Sequence, residues 1–115
     1  MSKRISKLLL EDILEAIEAV QIYTHGLSFA AFIQDRKTKD AVVRNLEIIG
    51  EAANKLPLSL TKQYPEIDWS GIVGFRNILI QEYFGIDYQL VWHIIQQQMP
   101  ALEEQIKYIV TTSSV

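Results

Sequence analysis

The strongest constraint on this chain is the spacing of its apolar residues, which keeps the period of a helix through the long segments. From Ile5 to Tyr23 the apolar positions are Ile5, Leu8, Leu9, Ile13, Ala16, Ile17 and Val20, with Glu11, Glu15 and Glu18 largely on other faces. A second stripe, Val42, Val43, Leu46, Ile49, Ala53 and Leu56, marks a helix from about Thr38 to Leu56, ended by Pro57. No stretch alternates with a period of two, and no Asn-Gly or Asp-Gly pair marks a hairpin. The expected fold is all-α, an up-and-down bundle of about five helices. A chain of 115 residues is long enough for one core, so a single domain over 1–115 is expected.

Punctuation residues divide the rest. Gly26 suits the left-handed end of the first helix, and Ser28 is a natural N-cap for a short helix carrying Phe29, Ala30, Phe32 and Ile33. Gly50 sits inside a helix, where glycine costs about 1 kcal/mol against alanine; close approach of another helix is one reason to tolerate it. Pro57, Ser59, Pro65 and Asp68 break the pattern, leaving one or two helical turns around Leu58 to Tyr64. Ser70 is then expected to cap a helix from Gly71 to about Tyr83, closed by Gly85. Asp87 caps another through Gln98, and Pro100 opens a final one.

Composition narrows function mainly by exclusion. Hydrophobic residues make up 49% and charged residues 22%, a globular balance that argues against disorder outside the ends. The net charge of -3 and pI near 5.3 provide no global attraction for nucleic acid, so RNA binding would need a local basic patch. The chain has no cysteine, which removes disulfides, thiolate metal sites and cysteine nucleophiles. The run Leu8-Leu9-Leu10 meets Glu11 and Asp12 at once, so no membrane or signal segment is expected and the cytoplasm is the expected location.

One apolar segment carries unexpected polarity. Around a helix, Arg76, Asn77, Ile80, Gln81 and Tyr83 share a little under half the circumference, and Arg76 and Tyr83 nearly eclipse each other. A planar cation, two amides and a phenol can therefore face a common point. Two readings are open on the residues alone. Arg76 pairs with a carboxylate such as Glu47 or Glu51, with Tyr83 a core residue whose hydroxyl reaches the surface; or the guanidinium fork holds a phosphate.

The segment resembles the HEPN superfamily, specifically its HepT-like toxin branch, whose motif is arginine, four residues, histidine, one residue and tyrosine. Arg76, Gln81 and Tyr83 occupy those positions, followed by Phe84-Gly85-Ile86-Asp87, which also fits. "LEDILEAIE" (Leu10 to Glu18), "YTHGLSFAAFIQDRKTKDAVVRNLEIIGEAA" (Tyr23 to Ala53) and "YPEIDWSGIVGFRN" (Tyr64 to Asn77) are similar to the same family, so the resemblance covers nearly the whole chain. It implies the toxin of a type II toxin–antitoxin pair, a homodimeric, metal-independent endoribonuclease with no cofactor, partnered by a minimal nucleotidyltransferase antitoxin. By carry-over Arg76 binds the scissile phosphate and Asn77 orients the site. The motif histidine moves protons, and Tyr83 accepts AMP from the antitoxin.

Gln81 departs from that scheme. An amide donates and accepts hydrogen bonds but does not titrate near neutral pH. The lost general acid–base step is typically worth about 10²–10⁴-fold in rate. The chain is therefore expected to be inactive or impaired, or else to act as a non-enzymatic substrate-binding subunit of a nucleotidyltransferase. His25, at a helix end, and His93, expected to be partly buried, do not replace the base; Glu82 points roughly 100° away. Glu47, Glu51 and Asp12 lack the Glu-x-x-His spacing of di-metal bundles. Lys3, Arg4 and Arg44, from a group of basic residues early in the chain, are candidates for a local RNA-binding patch.

Overall fold

The computed structural model describes residues 3–77 and 85–112, and among them there is no strand. The elements are α1 (Lys3–Thr24), α2 (Phe29–Gln34), α3 (Arg36–Lys55), α4 (Leu58–Thr61), α5 (Trp69–Val73), α6 (Tyr88–His93) and α7 (Met99–Thr112). A 3₁₀ turn, Gly74–Arg76, follows α5, and a π-type turn, Ile94–Gln98, joins α6 to α7. Helices α1 and α3 pack along each other, α7 lies against α1, and α5 with its 3₁₀ turn lies against α3. The all-α bundle expected from the apolar period is the fold observed.

The core runs through Leu10, Ile13, Ile17 and Val20 of α1, Val42, Leu46 and Ile49 of α3, and Met99, Ile106 and Ile109 of α7, all fully buried. Ile5 and Leu8 differ from expectation: they are about half exposed, at 47% and 53%, because the buried face of α1 runs through Leu10 instead. Phe32 carries the short α2 into the core. Its ring lies 5.1 Å from Trp92 and 6.2 Å from Tyr88, tying α2 to α6.

The caps follow local chemistry. Ser28 accepts from the Ala31 N–H and Asp87 from the Leu90 N–H, as expected. Gly26 and Gly85 take positive φ of 77° and 85°. Helix α3 starts earlier than its apolar stripe because Asp35 caps it, accepting from the Thr38 N–H and, at 2.6 Å, from the Thr38 hydroxyl. Those hydrogen bonds hold the Asp35 carboxyl below the usual carboxylate range. The cap before α5 is Asp68, which accepts from the Gly71 N–H at 3.0 Å, and not Ser70. A carboxylate three residues before the amide has the reach this role needs, and Ser70 lies inside the first turn.

The final α-helix begins at Met99, with Pro100 as its second residue, close to expectation, although the chain is helical without a break from Tyr88 to Thr112. Proline has no N–H, and its ring presses on the carbonyl four residues earlier. The π-type turn immediately before it inserts one extra residue, with the Met99 N–H donating to the Ile94 carbonyl five residues back. The buried line steps from Ile94 and Ile95 to Met99 and Leu102 across this insertion. His93 falls outside that line and is exposed, which corrects the expectation of a partly buried histidine.

Candidate functional site

The polar segment begins where α5 tightens. Gly71 and Gly74 weaken the α-helix here, and the chain passes into the 3₁₀ turn Gly74–Arg76. Ile72 of α5 and Phe75 of the turn, three residues apart, both reach the core, each 5% exposed. Arg76 is the last residue of the turn and is half-buried, while Asn77 follows it and is exposed. The segment expected as a helix from Gly71 to Tyr83 is helical through Asn77, with a 3₁₀ stretch at Gly74–Arg76, and its remainder lies outside the described residues. Gln81 and Tyr83 lie outside the described residues.

Helix α3 forms the wall behind Arg76. A Cβ built on Gly50 would stand 2.8 Å from the Arg76 backbone nitrogen, 3.0 Å from the Val73 carbonyl oxygen and 3.1 Å from the Arg76 Cβ. The close approach suggested by a mid-helix glycine is therefore real, and its partner is the turn that carries the arginine.

The carboxylates near this wall are occupied or open. Glu47 pairs with Arg44 at 3.0 Å, one turn apart on α3. Among the described residues Arg76 makes no salt bridge, so neither expected partner, Glu47 or Glu51, takes its charge. Arg44 lies six residues from Gly50, roughly 9 Å of rise and about 120° around α3. That separates it from the line on which Arg76 packs. Lys3 and Arg4 are exposed at the start of α1. The remaining early basic residues are in part engaged: Lys39 Nζ sits 4.8 Å above the Tyr88 ring, and Arg36 meets Asp40 at 3.9 Å.

A groove of about 360 Å³ opens on the other side of Phe75, rimmed by Glu66, Asp68, Gln97, Gln98 and Gln105. Among the described residues no cation lines it. His25 is exposed beside Ile22 at the end of α1. Among the described residues no group of three His, Cys, Asp or Glu side chains is placed to hold a metal ion, and no helix is long and apolar enough to cross a membrane.

An all-helical bundle that presents an arginine, with its charge unpaired among the described residues, from a tight turn after a buried phenylalanine fits the class of HEPN-like helical domains. The family model described as Ribonuclease HepT-like matches residues 13–109. The chain is 42% identical over 101 residues to the Thermococcus cleftensis protein named "Probable ribonuclease HepT", covering 88% of this chain and 92% of that protein. It is 39% identical over 109 residues to the Methanocaldococcus jannaschii protein named "Putative RNase MJ1380", covering 95% of this chain and the whole of that one. No solved structure matches. The chain belongs to the HepT-like ribonuclease family of the HEPN superfamily.

Proposed function

We propose that this chain is the RNA-binding toxin half of a type II toxin–antitoxin pair, with its cleavage chemistry impaired by Gln81. Arg76 holds the scissile phosphate and Asn77 orients the substrate beside it. Gln81 stands where the family motif has its histidine, and Tyr83 receives AMP from a minimal nucleotidyltransferase antitoxin. The modification would add bulk and negative charge to an RNA-binding face. The observation that carries this reading is the unpaired charge of Arg76 among the described residues, with Glu47 committed to Arg44. A guanidinium kept for structure is usually matched with a carboxylate, whereas one kept for phosphate has to remain available.

The working unit is a homodimer. What supports this is the resemblance, together with the exposure of Ile5 and Leu8 near one end of α1 and of Ile22 and Tyr23 near the other. Arg44, Lys3 and Arg4 then add charge for the RNA backbone from outside the motif.

Cleavage of a structured RNA by the protein, by Gln81→His and by the double variant Gln81→His/Arg76→Ala tests the proposal. Restoring the titratable group should raise the rate by about 10²–10⁴-fold, and removing Arg76 should abolish the gain. Continued silence of Gln81→His would overturn the impaired-nuclease reading. The binding-subunit alternative would then stand, with the partner as the seat of the chemistry.

A further inference from the structure

We infer that Gly50 is a positioning residue for Arg76: helix α3 lacks a side chain at this one position so that the turn bearing the arginine can seat directly on the helix backbone. The inference rests on the proposed role of Arg76 as the phosphate-binding group.

Three observations carry it. The first is the kind of atom that a side chain at position 50 would meet. Of the three nearest, the Arg76 nitrogen at 2.8 Å and the Val73 oxygen at 3.0 Å are backbone, and the third is the Arg76 Cβ at 3.1 Å. None is the end of a flexible side chain that can rotate away, so the turn itself would have to move. The second is which atoms they are. The amide of residue 76 and the carbonyl of residue 73 are three apart, the separation that a 3₁₀ turn links. One methyl at position 50 therefore presses on both ends of the link that winds Arg76 into place.

The third is which partner can yield. Helix α3 packs extensively along α1, and its Val42, Leu46 and Ile49 are fully buried. Moving it as a body would disturb that packing. The opposing unit is only the five residues of α5 and the three of the turn. Displacement of the lighter partner shifts Arg76 relative to Glu47 and the rest of the α3 wall. Gly50 thus acts through Arg76 and need not touch RNA.

The test is Gly50→Ala, made alone and together with Arg76→Ala. Two readouts are taken: affinity for a fluorescein-labelled RNA hairpin, and the backbone amide NMR signal of Arg76, with the melting temperature as a control on folding. In the parent protein, loss of Arg76 should weaken RNA binding roughly ten- to a hundredfold, as for other charge-assisted contacts. In the Gly50→Ala background the same loss should be within about twofold, because the arginine is already misplaced. The Arg76 amide signal should shift while signals from Leu46 and Met99 stay in place. Equal, additive effects of the two changes would overturn the inference and make Gly50 a packing residue only. An Arg76 amide that stays put in Gly50→Ala would overturn it whatever RNA does. If the amide moves but Arg76→Ala leaves RNA binding unchanged, the phosphate role of Arg76 has failed, and the positioning role fails with it.

Discussion

Replacing Phe32 by alanine should be among the most damaging single changes in this fold, although α2 has only six residues. The side chain is fully buried, and its ring lies 5.1 Å from Trp92, tilted by 32°, and 6.2 Å from Tyr88 in an edge arrangement. Emptying a buried phenylalanine site costs about 3–5 kcal/mol, combining lost transfer energy with the cavity left behind. Stability for a domain is about 5–15 kcal/mol in all, so roughly a fifth or more of it is at stake. For a chain of this length each kcal/mol moves Tm by roughly 4 °C, which puts the expected fall at roughly 12–20 °C. Phe29 provides the internal comparison. It is only partly buried, and among the described residues its one ring partner is Trp92, at 6.1 Å, so Phe29→Ala should cost about 1–2 kcal/mol. Urea unfolding of the three proteins measures both values, with unchanged m-values confirming that the same surface is exposed. If Phe32→Ala cost no more than Phe29→Ala, α2 would not be anchored as described, and its tie to α6 would be wrong.

Two further outcomes follow from charge and exposure. Burial, and then the nearby Asp40 carboxylate, raise the Tyr88 phenol above its ordinary value, against a smaller opposing effect of Arg36. The folded state thus resists ionising this group, and stability should fall as pH rises from about 10 through the raised value, because the unfolded chain gives up its proton first; Tyr88→Phe should flatten that alkaline loss in Tm measured against pH. Changing both Leu8 and Ile22, which are 53% and 73% exposed on α1, to glutamate should convert the proposed dimer to monomer in sedimentation experiments. An unchanged mass would rule these two residues out of the interface.

Much of the architecture was legible because helical period and cap chemistry are local properties. Ser28, Asp87, Gly26 and Gly85 act as their residue types suggest, since each answers to atoms within a few positions along the chain. The misreadings share a different cause. Asp68 displaced Ser70 as a cap through a three-residue reach that competes with the nearer serine. Pro100 marks the start of the final helix to within a residue, but the π-type turn Ile94–Gln98 that joins it to the helix before was not legible. The 3₁₀ turn before Arg76 reflects a tertiary demand, the seating of Ile72 and Phe75 beneath α3, which no window of sequence displays. Gly50 was visible as an anomaly, but its partner became identifiable only in three dimensions. The motif positions were recognised by resemblance. Charge patterns alone leave Arg76 divided between a carboxylate and a phosphate; among the described residues Glu47 pairs with Arg44 instead.

The most direct test of the central proposal, that Arg76 holds an RNA phosphate, does not require catalysis. RNA affinity would be measured over a series of salt concentrations for the protein and for Arg76→Ala. If the guanidinium neutralises one phosphate, its removal should weaken binding at low salt and reduce the slope of log K against log salt by roughly 0.7–0.9. A variant that binds with unchanged affinity and unchanged slope would show that Arg76 does not hold RNA.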